Sequence, residues 1–191
     1  AAYQIGVRLV GSEMCIRDSY NAAHERYRER NRAMILLTHL CGMRIGEVVN
    51  LKVSDVIDYN CKGKSEILLT KKQTKGKQAR TVFVSKRMQK ELDRYLKHAV
   101  MRFSGSFLFK TQKSQRFSSN TATQLLQRIY ERSGLSGATS HSGRRSFITD
   151  LATKGISVRV LAALAGHQSI ATTQRYIDVN DEMLRNAVEL V

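Results

Sequence analysis

The chain of 191 residues contains 32 lysines and arginines against 16 acidic residues, a formal net charge of +16. Its length suits one domain, and a hydrophobic content of 42% is ample for a core. A charge this positive indicates a polyanionic partner, most often nucleic acid. No apolar run reaches the ~18 residues of a membrane span. The spacing of Cys15, Cys41 and Cys61 favours a reducing compartment and disfavours a disulfide framework and a zinc site.

The first twenty residues fit no regular structure, because they lack both helical and strand periodicity. The piece VGSEMCIRDS resembles translated sequencing-adapter read-through, so we expect residues 1–20 to be non-native or disordered. An ordinary frayed N-terminus is the alternative. We expect the folded domain to occupy residues 21–191.

A helix is predicted from about Ala22 to Leu40, with a charged first half and the apolar second half AMILLTHL. Gly42 breaks it, and a turn carrying Arg44 leads into a short helix. An arginine between apolar helices is costly without a purpose, and Glu47 is placed to orient it. The pattern favours a functional Arg44 over a solvated surface arginine.

The hydrophobic period changes over residues 53–84. The β-branched pieces VSDVIDY, SEILLT and ARTVFVS are separated by the turn-like NCKGK and KKQTKGKQ, which predicts a three-stranded antiparallel sheet. The tip KKQTKGK holds more cations than solubility requires, and such a hairpin can reach a DNA groove or backbone. A merely solvated charged face is the alternative.

Helices are also predicted after Ser85, from about Ser119 to Arg132, and after Asn180 or Asp181. Each has apolar residues at helical spacing. In the helix after Ser85 these are Met88, Leu92, Tyr95 and Ala99, and in the last helix they are Met183, Leu184, Ala187 and Val188.

The stretch 141–176, HSGRRSFITDLATKGISVRVLAALAGHQSIATTQRY, predicts three short helices. Ser140 is the candidate N-cap of the first, and Gly166 closes the second. The third begins near Ser169 and carries Tyr176. Four side chains in this stretch are candidates for chemistry: His141, Arg144, His167 and Tyr176. His141 and Arg144 are three residues apart and share a helix face, and His167 lies in a turn.

These groups suit phosphoryl transfer on nucleic acid without a metal. The sequence has no P-loop, G-x-S-x-G, G-x-G-x-x-G or H-E-x-x-H motif and no carboxylate cluster of the two-metal kind. Guanidinium groups can stabilise the charge that develops on non-bridging phosphate oxygens. Nearby cations favour a tyrosine phenolate, which is a usable nucleophile, and a Lys or His can protonate a departing sugar oxygen.

The sequence resembles the catalytic domain of the tyrosine recombinases, the phage integrase family, from about Arg32 to Val188. The resemblance is carried, in this order, by GMRIGE, QTKGKQARTVF, HSGRRSF and LAGHQSIATTQRY. It implies an α+β fold, mainly helical with a small three-stranded antiparallel sheet. It implies a site-specific recombinase or integrase that cleaves and rejoins DNA.

Carried over residue by residue, the resemblance implies six catalytic positions. Tyr176 attacks the scissile phosphate and forms a 3′-phosphotyrosyl link, while Arg44 and Arg144 clamp the non-bridging oxygens. His167 assists the clamp, His141 takes part in proton transfer, and Lys75 protonates the leaving 5′-oxygen. Lys71, Lys72 and Lys77 stand close to Lys75 in the sequence and are alternatives for its role. The expected DNA-binding residues are Lys71, Lys72, Lys77, Arg80 and Arg145.

Neither metal nor cofactor is expected, since the covalent link conserves the phosphodiester energy. The resemblance implies double-stranded DNA as partner, self-association as a tetrameric synapse through the last helix, and a cytoplasmic protein of a prokaryotic nucleoid or mobile element. Family members normally carry an N-terminal helical DNA-binding domain, which we expect to be absent. A catalytically silent DNA-binding remnant and a type IB topoisomerase remain open alternatives.

Overall fold

A computed structural model describes residues 27–74, 76, 78–98, 106–177, 179 and 181–189. In this part of the chain the elements, in order, are α1 (Arg28–Leu40), α2 (Ile45–Val49), α3 (Val53–Val56), β1 (Glu66–Leu69), β2 (Arg80–Phe83), α4 (Lys86–His98), α5 (Ser119–Arg132), α6 (Ser142–Thr153), α7 (Val158–Ala165), α8 (Ile170–Gln174) and α9 (Asp181–Val188).

Helix α1 is the central element of the larger of two hydrophobic clusters. It packs on both α4 and α6, and Met34, Leu36 and Leu37 are fully buried. The predicted apolar half AMILLTHL is confirmed as its buried part. The predicted start near Ala22 lies outside the described residues. At the contact with α6, Gly143 leaves no room for a side chain beside Thr38, so the two helices approach closely.

The sheet consists of β1 and β2, which pair antiparallel with Ile67 opposite Val82 and Leu69 opposite Arg80. The prediction of a small antiparallel sheet is confirmed for SEILLT and ARTVFVS. The prediction of a third strand in VSDVIDY is wrong, because Val53–Val56 forms a helical turn. The Asp55 carboxylate accepts the backbone N–H of Lys52 at 2.9 Å, which stabilises the start of that turn.

The predicted helices α4 and α5 are confirmed, and α5 has the predicted bounds. Ala99 lies outside the described residues. Helix α6 begins one residue later than predicted. His141, not Ser140, holds its N-cap position and makes no capping hydrogen bond through its side chain. Helix α8 ends at Gln174, so Tyr176 lies in the following turn rather than on the helix.

A second hydrophobic cluster joins α6 and α7. It consists of Ile148, Ala152, Leu161 and Ala165, with Tyr176 and Met183 packed against it. This cluster fixes the C-terminal end of α7 close to α6 and to the turn that carries Tyr176. No helix within the described ranges is both long and apolar enough to cross a membrane.

Candidate active site

The site is built around the C-terminal end of α7. Gly166 has φ +63°, and the N–H groups of Gly166 and His167 donate to the carbonyls of Ala163 and Ala162 at 3.0 and 2.9 Å. This is the pattern of a Schellman cap. The next three carbonyl oxygens, those of Leu164, Ala165 and Gly166, are not used by this cap. The last carbonyls of a helix have no hydrogen-bond donor within the helix and accept from other groups.

Three arginines from three different elements donate to these three carbonyls. Arg80 Nη1 donates to Leu164 O at 2.9 Å, Arg144 Nη2 to Ala165 O at 2.5 Å, and Arg44 Nη2 to Gly166 O at 3.3 Å. The negative end of the helix dipole also favours cations at this position. The end of α7 therefore collects one guanidinium group from β2, one from α6 and one from the start of α2.

Glu47 connects two of these arginines. Its carboxylate is buried, with Oε2 accepting from Arg80 Nη2 at 2.8 Å and from the Arg44 N–H at 2.9 Å. Its Oε1 accepts from Arg44 Nη1 at 3.0 Å. Burial alone would raise the pKa of the Glu47 carboxyl, but the hydrogen bonds and charges of Arg80 and Arg44 outweigh burial and lower it. Glu47 is therefore ionised and holds both guanidinium groups.

Arg144 is the most deeply buried of the three arginines. Its Nη1 donates to Gly42 O at 2.6 Å, so the guanidinium bridges the loop before α2 and the end of α7. Burial, followed by the charges of Arg44 and Arg80, lowers the pKa of Arg144 to about 9 despite the opposing charge of Glu47. It remains a cation at neutral pH, and its charge is poorly screened by water.

His167 follows Gly166 directly and lies beside this cation cluster. Its Nδ1 lies 2.8 Å from Thr173 Oγ1 in α8. Burial, and then the charges of Arg144, Arg44 and Arg80, lower the pKa of His167 to about 4. The imidazole is therefore neutral at pH 7, with one ring nitrogen held by Thr173.

Tyr176 lies next to His167 in the turn after α8. The two ring centroids are 6.1 Å apart, and the Arg145 guanidinium lies 5.4 Å from the tyrosine ring centroid. Thr149 Oγ1 donates to the Tyr176 carbonyl at 3.2 Å, which attaches this turn to α6. The structure thus brings Arg44, Arg144, His167 and Tyr176 to one place.

Two open clefts meet at Arg44, Glu47 and Thr74. One, of about 550 Å³, is lined by Arg80, Gly166 and His167 together with Gly76 and Gln78 of the hairpin. The other, of about 370 Å³, is lined by Lys72 and His141. His141 and His167 therefore line different clefts, both of which include Arg44. Lys71 and Lys72 are exposed, whereas Lys75 and Lys77 lie outside the described residues.

The sequence profile of the Phage integrase family matches residues 16–183. The chain belongs to the phage integrase family. Tyrosine recombinase XerA of Pyrococcus horikoshii is 30% identical over 163 residues, which cover 84% of this chain and 54% of that protein. Tyrosine recombinase XerD of Mycobacterium tuberculosis is 36% identical over 162 residues, covering 82% and 50%. The phage integrase chain thus spans about half the length of these curated relatives.

Solved structures of the same fold agree with this family. The crystal structure of XerA recombinase matches with a TM-score of 0.73 at 28% identity, over 94% of this chain and 63% of that one. XerH site-specific recombinase, in a post-cleavage complex with its palindromic difH substrate, shares the fold with a TM-score of 0.70 at 22% identity, over 93% and 51%. The predicted mainly helical fold and the predicted family are confirmed.

Several groups that hydrogen-bond to the residues of this phage integrase site are not predicted from the sequence. They are the carbonyls of Gly42, Leu164, Ala165 and Gly166 and the hydroxyls of Thr149 and Thr173. The sequence predicts Arg80 as a DNA-binding residue, whereas the structure places its guanidinium against Glu47 and α7. Alternation in ARTVFVS was an available signal, since Arg80 shares a strand face with the buried Val82.

The described residues include no group of three or more His, Cys, Asp or Glu side chains that could hold a metal ion. The charged groups of the site are instead guanidinium cations, with Glu47 as their buried counter-ion.

Proposed function

We propose that this chain is the catalytic part of a site-specific DNA recombinase that breaks and rejoins strands through a 3′-phosphotyrosyl intermediate. The observation that carries the proposal is the convergence of Arg44, Arg144, His167 and Tyr176 at the end of α7. The names of the relatives, tyrosine recombinases XerA and XerD, support the same activity.

In the proposed cleavage step the Tyr176 oxygen attacks the scissile phosphorus and loses its proton. The bond from phosphorus to the 5′-oxygen breaks, the 3′-phosphate becomes esterified to the tyrosine, and the leaving 5′-oxygen gains a proton to become a hydroxyl. Lys75 is the proposed donor of that proton, and His141 the proposed partner in proton transfer. Rejoining reverses these steps with a different 5′-hydroxyl.

The guanidinium groups of Arg44 and Arg144 are suited to the non-bridging oxygens, where negative charge builds up in the transition state. Both are already held by protein carbonyls, so little reorganisation is needed when the phosphate arrives. We propose that the Thr173 hydroxyl donates to His167 Nδ1, which lies 2.8 Å away. The neutral imidazole then carries its hydrogen on Nε2 and can donate it in a hydrogen bond to the phosphate.

Double-stranded DNA is the proposed partner, of a prokaryotic chromosome or a mobile element. We infer that Lys71 and Lys72, exposed at the hairpin, and Arg145 contact its backbone. The proposed tetrameric synapse uses α9: Met183 packs in cis on the second cluster, whereas Leu184 is 55% and Val188 73% exposed. These two side chains are the ones offered to a neighbouring copy.

Covalent trapping tests the reaction. The chain is incubated with a pool of nicked suicide DNA substrates, without ATP and in the presence of a chelator, and resolved on a denaturing gel beside Tyr176→Phe. We expect a protein–DNA adduct that forms with the wild type and disappears in the variant. An adduct that persists in Tyr176→Phe would assign the nucleophile elsewhere. DNA binding with no adduct on any substrate would favour a silent binding remnant.

A further inference from the structure

Arg80 is the one arginine of the cluster that the family resemblance did not include among the catalytic residues. It begins β2, and its side chain is 12% exposed, against 27% for Arg44. All three of its guanidinium nitrogens donate to protein acceptors. Nε and Nη2 donate to Glu47 at 3.4 and 2.8 Å, and Nη1 donates to Leu164 O at 2.9 Å.

We propose that Arg80 is a positioning residue that holds Arg44 and the α7 end in their working arrangement, rather than a contact to DNA. The inference rests on the proposed function, because it assigns Arg80 a part in the same reaction. Arg80 acts on Arg44 through Glu47, whose two oxygens serve both arginines. It acts on His167 through the carbonyl end of α7, which immediately precedes that histidine.

The charge balance explains why Glu47 needs a second cation. A buried carboxylate requires several donors, and Arg44 alone supplies its own N–H and one Nη. Without Arg80, Glu47 draws more of the Arg44 guanidinium to itself, so less of that group faces the cleft. With Arg80 in place, the carboxylate is satisfied and Arg44 Nη2 extends to Gly166 O at the cleft wall.

Arg80 also connects the β1–β2 hairpin to the site through its hydrogen bonds. Gly76 and Gln78, near the tip, line the same cleft as Arg44 and His167, and β2 begins at Arg80 immediately after this tip. The Arg80 guanidinium bonds to α2 and α7, so the base of the tip is fixed to both walls of the cleft. A single side chain thus sets the position of the hairpin relative to the arginines.

The test compares Arg80→Met and Arg80→Lys with Lys86→Met, which removes an exposed cation beyond the other end of β2. Single-turnover cleavage is measured at saturating DNA, together with DNA affinity. We expect Arg80→Met to slow cleavage at least tenfold while weakening binding no more than Lys86→Met does. Arg80→Lys keeps the charge but not the three donors, and we expect cleavage to stay slow. Wild-type cleavage by either Arg80 variant would overturn the proposal.

A second readout does not depend on cleavage. In ¹⁵N-arginine NMR spectra, we expect the Arg44 side-chain resonance to shift and broaden in both Arg80 variants and to stay unchanged in Lys86→Met. An unchanged Arg44 resonance would overturn the positioning role. If no DNA yields an adduct with the wild type, the proposed function fails on its own, and these spectra still decide the role of Arg80. If Arg80→Met does not fold, as judged by circular dichroism, Arg80→Lys decides both readouts.

Discussion

Gly166 meets two separate requirements at the end of α7. Its φ of +63° lies in the left-handed region, and a Cβ there would lie 2.5 Å from Arg80 Cδ. Arg80 thus occupies the space that any side chain at position 166 would need. Gly155 ends α6 with φ +80° but has nothing within 4 Å of an added Cβ. A substitution at Gly155 therefore introduces backbone strain alone, whereas one at Gly166 introduces backbone strain and also displaces Arg80.

We expect Gly155→Ala to cost about 1–2 kcal/mol of unfolding free energy, the cost of a left-handed non-glycine residue, and to leave cleavage intact. We expect Gly166→Ala to cost at least about 3 kcal/mol, because it also displaces Arg80 from the buried Glu47. Urea unfolding and the adduct assay measure both effects. If Gly155→Ala and Gly166→Ala lost equal stability and had equal activity, the Arg80 side chain would have made room for the new methyl group without losing its ion pair with Glu47.

His39 is a buried histidine outside the site. It is 6% exposed, and burial lowers its pKa from 6.5 to about 4. The unfolded chain therefore binds a proton at His39 at a higher pH than the folded chain does. The associated stability is present above pH 6.5 and is lost as the pH falls from 6.5 to about 4, by about 3 kcal/mol in all.

We expect His39→Met to flatten the dependence of unfolding free energy on pH between 6 and 5, by about 1 kcal/mol per pH unit. His167 has its pKa lowered to about 4 and supplies part of the remaining slope. The Glu47 carboxyl, with its lowered pKa, loses its stabilising charge at lower pH and does not interfere in this window. Denaturant unfolding at several pH values makes the measurement, and an unchanged slope in His39→Met would contradict it.

At the scale of elements, α3 shows where side-chain composition misleads. Its residues VSDV and the following IDY include the β-branched Val53, Val56 and Ile57, which are typical of a strand. The decisive contact is local: Asp55 accepts the Lys52 N–H, and Ile57 N donates to Val53 O at 3.2 Å. An acidic residue three positions after the N-cap residue was therefore a better signal here than the β-branched side chains.

Helix α9 divides its apolar residues between two surfaces. We expect Met183→Ser to lower the unfolding free energy by about 1 kcal/mol, because Met183 packs on the second cluster. We expect Leu184→Ser with Val188→Ser to change stability by less than about 0.5 kcal/mol, since both are exposed, and to weaken association between copies on DNA. Analytical ultracentrifugation of the DNA complexes tests the second expectation. Unchanged association in the double variant would remove α9 from the synapse proposal.

At the scale of the whole molecule, the sequence predicted the family and the described helices other than α3, because these depend on local periodicity and short motifs. It did not predict which backbone groups hold the arginines. Those contacts join residues 84, 21 and 122 positions apart, for Arg80, Arg144 and Arg44 respectively. Such pairs arise only when α2, α6 and β2 meet at α7, and a carbonyl has no side-chain signature in the sequence.

The net charge of +16 predicts DNA binding that weakens steeply with salt through counterion release. We expect Lys71→Gln with Lys72→Gln to reduce the slope of log affinity against log salt by about 1.8, if each contacts one phosphate. Lys62→Gln with Lys86→Gln removes the same charge at the opposite end of the hairpin and serves as the control. Equal changes in slope would mean that only overall charge matters, and fluorescence anisotropy titrations decide between these outcomes.

The three guanidinium groups at the α7 end face one carboxylate, which leaves a surplus of two positive charges inside a partly dry site. Burial is the main cause of the lowered pKa of Arg144, and the positive charges of Arg44 and Arg80 lower it further. These surplus positive charges destabilise the folded chain, and a bound anion that neutralises them stabilises it. Folding and phosphate binding are therefore thermodynamically linked. On the proposed function, a DNA phosphate supplies the counter-ion to this surplus of positive charge, and its binding stabilises the folded chain.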